Sequence, residues 1–143
     1  MLQKIIVAID GSSSAIHAAH CAVKLAKQVN AYIELVYVVR YAIGSIDAGV
    51  LPDELEKIEK QNADQLIEKI KKKHRDVSIQ SFEPIGKPIE MIQEAIDKWD
   101  ADLIIIGHHT HNFIEDLFYG SVEKQLLKHL RIPMLVIPED YEC

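Results

Sequence analysis

The chain has 143 residues, 48% of them apolar and 27% charged, with a formal net charge of -6. This is the size of one domain that can bury about 70% of its unfolded surface, which excludes a disordered chain. The acidic balance argues against a nucleic-acid partner, no apolar run approaches the ~20 residues of a membrane span, and the run Ile5-Ile6-Val7-Ala8-Ile9 is too short for a signal peptide. A single cytoplasmic domain over residues 1–143 is therefore expected. Cys21 and Cys143 supply neither a disulfide framework nor a paired metal-ligand spacing.

The elements follow in chain order. Residues 5–9 are β-branched and nearly continuous, the pattern of a strand buried on both faces. A helix is predicted over 13–29, with Ile16, Ala19, Val23 and Ala26 on its apolar stripe. His17, His20 and Cys21 on this helix read as an ordinary helix face. The apolar run from Ile33 to Val39 is a second buried strand. Residues 40–51, with Gly44 and Gly49, form a connection of the length of a binding loop or a plain surface loop. Pro52-Asp53-Glu54 marks a helix start, and the 53–74 pattern carries Leu55, Ile58, Leu66 and Ile70. Its last turn, Lys71-Lys72-Lys73-His74-Arg75, places positive charge at the negative end of the helix dipole rather than forming a nucleic-acid patch. Residues 77–82 alternate, as a strand nearer an edge does. Gly86-Lys87-Pro88 opens a helix over 88–99 with Ile89, Ile92, Ile96 and Trp99. The run 103–106 is a fourth strand. A helix over 121–130 carries Val122, Leu126, Leu127 and Leu130, and the last strand, 134–137, lies between Pro133 and Pro138.

Strict alternation of strands and helices predicts an α/β fold. Its core would be an open five-stranded parallel sheet, order 3-2-1-4-5, with helices on both faces in a Rossmann-like arrangement. Ligands of such sheets sit beyond the carboxyl ends of the strands where the order reverses, here between the first and fourth. Small polar residues collect at those ends: Asp10-Gly11-Ser12-Ser13-Ser14, then Gly107-His108-His109-Thr110, with Gly120-Ser121 opening the next helix. Gly120 and Ser121 suit a phosphate through free N–H groups and a hydroxyl, or simply cap the helix. Asp10 is placed to accept a hydrogen bond from an adenine amino group or a ribose hydroxyl, or to cap the first helix. Neither GxxxxGK[ST] nor GxGxxG occurs. His108, His109 and His111 crowd one loop, but no cysteine or carboxylate joins them at ligand spacing, so no metal site is expected there. His108 or His109 could instead donate to a phosphate.

Lys4-Ile5-Ile6-Val7-Ala8-Ile9-Asp10-Gly11-Ser12, Ala101-Asp102-Leu103-Ile104-Ile105-Ile106-Gly107, Gly120-Ser121-Val122 and Ile132-Pro133-Met134-Leu135-Val136-Ile137-Pro138 resemble segments of the universal stress protein family. The resemblance spans nearly the whole chain. The nucleotide-binding branch carries G-x2-G-x9-G-[ST]. Gly107 and Gly120-Ser121 fit it, and Thr110 replaces its second glycine, adding a branched side chain that disfavours positive φ. The Gly107-His108-His109 start is similar to a branch that does not bind ATP well.

Carried over, the resemblance implies that Asp10 and the Val38 backbone meet adenine and that Gly107 approaches the ribose. Thr110 stands where a glycine lets the backbone close on the sugar and phosphates. Gly120, Ser121 and Val122 would hold phosphates, with Mg²⁺ accompanying ATP. It also implies a homodimer through strand 133–138. Two functions follow: a small stress-response protein that binds ATP, or a dimeric interaction module of the same fold that binds no nucleotide. No general base, nucleophile and orienting group can be assembled, and no HxGH motif follows the first strand. A dedicated catalytic site is not expected, at most a slow ATPase.

Overall fold

The computed structural model describes residues 1–40, 52–108 and 124–143. Its elements are β1 (Lys4–Ile9), α1 (Ser13–Val29), β2 (Tyr32–Tyr37), α2 (Pro52–Lys73), β3 (Ile79–Phe82), α3 (Pro88–Trp99), β4 (Leu103–His108) and β5 (Met134–Pro138). Residues 124–129 are also helical. All strand pairs are parallel, in the order β3-β2-β1-β4-β5. The predicted topology therefore holds, with the alternating strand β3 at one edge and the proline-bracketed β5 at the other.

The continuous apolar runs have the reason expected of them. Side chains alternate across the sheet, so Ile5, Val7 and Ile9 meet α1 and α2 on one face while Ile6, Ile104 and Ile106 meet α3 and Leu126 on the other. A strand covered on both faces has no solvent side on which a polar residue would sit.

The helices depart from the predicted stripes in detail. The face of α1 that touches the sheet is built from Ala15, Ala18, Ala19, Ala22, Val23 and Ala26. Alanines let the helix approach closely, and Ile16 lies off that face, 40% exposed. In α2, Ala63, Ile67 and Ile70 of the C-terminal half are buried, whereas Ile58 is exposed. Leu126 is buried and Leu127 is exposed, so the 124–129 segment packs through a narrower face than the periodicity suggested. α3 occupies Pro88–Trp99, as predicted.

The reading of the cysteines is corrected. Cys21 and Cys143 form a disulfide across a sequence separation of 122 residues. The segment after β5 turns back along α1, and no spacing rule sees a contact made only in the fold. Among the described residues, no helix is long and apolar enough to cross a membrane.

Candidate functional site

α1 follows β1 on one face, and the helical residues after β4 lie on the other. A crevice consequently opens at the carboxyl ends of these neighbouring strands. Its walls are apolar, from Ala8, Val36, Val38 and Ile106, and Ile92 of α3 also lines it. Asp10 and Arg40 bring opposite charges to its rim.

The turn after β1 is held locally. The Asp10 carboxylate Oδ1 accepts from the Ser12 N–H at 3.0 Å. Gly11 takes φ +84°, a conformation glycine adopts without steric cost. Ser12 then caps α1, its hydroxyl accepting from the Ala15 N–H at 3.2 Å. Asp10 thus shapes the turn and Ser12 provides the cap. Behind the turn, burial pushes the Tyr37 phenol above its usual pKa, with the charges of Glu59 and Asp10 adding to the effect.

Gly107 has a packing role that sequence reasoning did not anticipate. A Cβ there would stand 2.4 Å from the Ser14 carbonyl oxygen and 2.9 Å from the Ala15 nitrogen. β4 and the first turn of α1 meet backbone to backbone, and only glycine fits between them. At the other side of the crevice, β2 is extended by a bridge between Val39 and Ile85. The Val39 N–H donates to the Pro84 carbonyl at 2.8 Å, and the Gly86 N–H donates to the Val39 carbonyl at 2.9 Å. These bonds set the entry into α3 and bring Pro88 and Ile92 to the crevice.

Of the residues singled out from the sequence, Asp10, Val38 and Gly107 line one crevice. Thr110, Gly120, Ser121 and Val122 lie outside the described residues, as do His109 and His111. Arg40, Pro88 and Ile92 also line the crevice and were not anticipated as site residues. Arg40 carried a usable signal, a cation directly after a buried strand on the side where sites form. Among the described residues of the crevice, Asp10 and Arg40 are the charged ones.

The sequence model of the universal stress protein family matches residues 1–138. The chain belongs to this family. Universal stress protein A of Yersinia pestis is 30% identical over 138 residues, covering 94% of this chain and 90% of that one. Universal stress protein MJ0531 of Methanocaldococcus jannaschii is 28% identical over 140 residues, covering 96% and 82%. The crystal structure of a universal stress protein family member from Burkholderia pseudomallei superposes with a TM-score of 0.76 at 28% identity, covering 95% and 96%. The universal stress protein of Archaeoglobus fulgidus, solved in complex with dAMP, shares the fold with a TM-score of 0.66 at 18% identity, covering 96% and 98%.

Proposed function

We propose that this stress protein binds an adenine nucleotide in the crevice at the carboxyl ends of β1 and β4, without a dedicated catalytic site. The observation that carries the reading is an apolar slot at the topological switch point with Asp10 and Arg40 at its rim. Ala8, Val36, Val38 and Ile106 offer the flat apolar contact that a purine needs. Asp10 would accept from the adenine amino group or a ribose hydroxyl, and Arg40 would pair with phosphate. Gly120, Ser121 and Val122 would hold the phosphates, as the family signature suggests, and Mg²⁺ would accompany ATP. The dAMP complex of the Archaeoglobus fulgidus protein supports the nucleotide class.

A second reading keeps the fold and gives up the nucleotide. The edge strand β5 leaves Leu135 40% exposed, which favours an isologous dimer through residues 133–138 acting as an interaction module.

The test uses protein purified without added nucleotide. It is heat-denatured, the supernatant is chromatographed for nucleotides, and ATP with Mg²⁺ is titrated into fresh protein by calorimetry. Recovered adenine nucleotide or micromolar binding supports the first reading, with Arg40→Ala weakening affinity about tenfold. Gly120→Val should abolish binding, and Thr110→Gly should tighten it. An empty protein that ignores ATP leaves the dimeric module as the function.

A further inference from the structure

One face of α1 carries Ser13, His17, Cys21 and Lys24, spaced at successive turns along a single stripe. Each meets the segment after β5. The Ser13 hydroxyl donates to Glu139 Oε1 at 2.9 Å. His17 Nε2 is hydrogen-bonded with the Tyr141 carbonyl oxygen, Cys21 is bonded to Cys143, and Lys24 Nζ donates to the Cys143 carbonyl. Ser13, His17, Cys21 and Lys24 are not among the residues that line the crevice. It gathers two sulfurs and an imidazole at one point: His17 Nε2 is 3.6 Å from Cys21 Sγ, and the three donor atoms all lie within 4.8 Å of one another.

We propose that reduction of the Cys21–Cys143 disulfide converts this cluster into a binding site for one thiophilic divalent cation of the zinc class. A dithiol reductant supplies two electrons and two protons. The S–S bond breaks, Cys21 and Cys143 become thiols, and the reductant closes to its own disulfide. The cation then takes both sulfurs as thiolates, releasing the two thiol protons to solvent; neutral His17 shifts its ring proton from Nε2 to Nδ1 through solvent, gives up its hydrogen bond to the Tyr141 carbonyl, and offers the Nε2 lone pair to the cation. Zinc bonds of about 2.3 Å to sulfur and 2.0 Å to nitrogen in a tetrahedron place donors about 3.5–3.8 Å apart. The His17–Cys21 separation already meets that spacing, because residues four apart on a helix share a face. Cys143 sits in a short irregular segment, so rotation about its side chain can bring its sulfur to the third corner. The Tyr141 carbonyl beside His17, or a water, completes four ligands. The Lys24 ammonium donates to the Cys143 carbonyl and helps hold that segment on α1. Metal and disulfide are alternative fastenings of the same segment to α1, chosen by redox state.

The test uses the full chain, reduced with a dithiol and freed of it by anaerobic desalting, then titrated with Co²⁺ as a spectroscopic stand-in for Zn²⁺. The expected result is a sulfur-to-cobalt charge-transfer absorption that saturates at one Co²⁺ per chain, is displaced by Zn²⁺ and is absent from the oxidised protein. His17→Gln should weaken the affinity about tenfold or more, and Cys143→Ser should remove the band while circular dichroism shows the fold retained. Reduced protein without the band overturns the proposal. So does Co²⁺ binding that lacks sulfur character or survives Cys143→Ser, which would place the metal elsewhere.

Discussion

Gly107 and Ser14 meet through their backbones: a Cβ on Gly107 would stand 2.4 Å from the Ser14 carbonyl oxygen and 2.6 Å from its carbonyl carbon. Neither atom belongs to a flexible side-chain end, so neither can swing aside. Ser14 is fully buried in the first turn of α1, a turn fixed by the Ser12 cap. Gly107→Ala should therefore push β4 and α1 apart and cost about 2–3 kcal/mol, within the range for overpacking a core. Urea unfolding midpoints check this. Because the loss precedes any ligand, a weaker nucleotide affinity in a Gly107 variant would not by itself make Gly107 a ligand contact. Affinity must be compared with a variant such as Arg40→Ala that leaves this packing alone.

Gly11 presents the opposite case, a glycine needed for its backbone and not for space. A Cβ there would have Tyr37 Oη at 3.9 Å as its nearest neighbour, an ordinary contact, yet φ is +84°. Gly11→Ala should cost about 1 kcal/mol from the conformation alone. Gly11→Asn should cost less, since asparagine tolerates positive φ through local hydrogen bonding. Equal losses in the two variants, measured by urea unfolding, would show that contact and not conformation is the constraint.

His20 and His74 pack ring against ring, with centroids 5.4 Å apart. Burial holds both below the usual imidazole pKa, assisted by Lys24 at His20 and by Lys27 at His74. The folded state thus favours the neutral rings. Their contribution to stability is present above the unfolded pKa of about 6.5 and is lost as pH falls below it. His74→Phe keeps an aromatic ring and removes one titration, so it should flatten the decline in the urea midpoint between pH 7.5 and 5.5. An unchanged slope would exclude His74 as a contributor.

The sheet was legible because its information is local. Runs such as Ile5–Ile9 and Leu103–Ile106 cannot be solvated on either side, and their alternation with helices leaves few topologies. The ends of α3 were legible for the same reason, with Pro88 at its start. Helix faces were less so. Ile16 and Ile58 are apolar, but a stripe does not say which of its members touches the sheet when alanines can do so more closely. Topology brought Asp10 and Gly107 to the strand ends and the family resemblance added Val38, and all three line the crevice, whereas the contact of Gly107 with Ser14 depends on how closely α1 lies on β4. The Cys21–Cys143 bond was hidden by 122 residues of separation.

Glu83 sits just after β3 with a side chain only 14% exposed, 3.8 Å from Lys60 Nζ. Burial pushes its carboxyl up to about 7, and hydrogen bonding and charge from Asp64 add to the rise against the opposing pull of Lys60 and Lys71. The folded state binds this proton more tightly than an unfolded chain, whose carboxyl titrates near 4.5. The resulting stability is fully present below pH 4.5 and is lost as pH rises to about 7. Above that the ionised carboxylate stays beside Asp64 at a constant cost. Glu83→Gln keeps the shape and a hydrogen-bonding amide but cannot ionise. It should raise stability at pH 8 by about 1–2 kcal/mol, allowing for solvent screening of a partly accessible pair, and leave stability at pH 4.5 nearly unchanged. The His20–His74 pair acts in the opposite direction over part of this range. The measurement is therefore the difference between variant and parent urea midpoints at each pH, in which the histidine contribution cancels. A difference that does not grow from pH 4.5 to 8 would show that the Glu83 proton is not held more tightly in the folded protein.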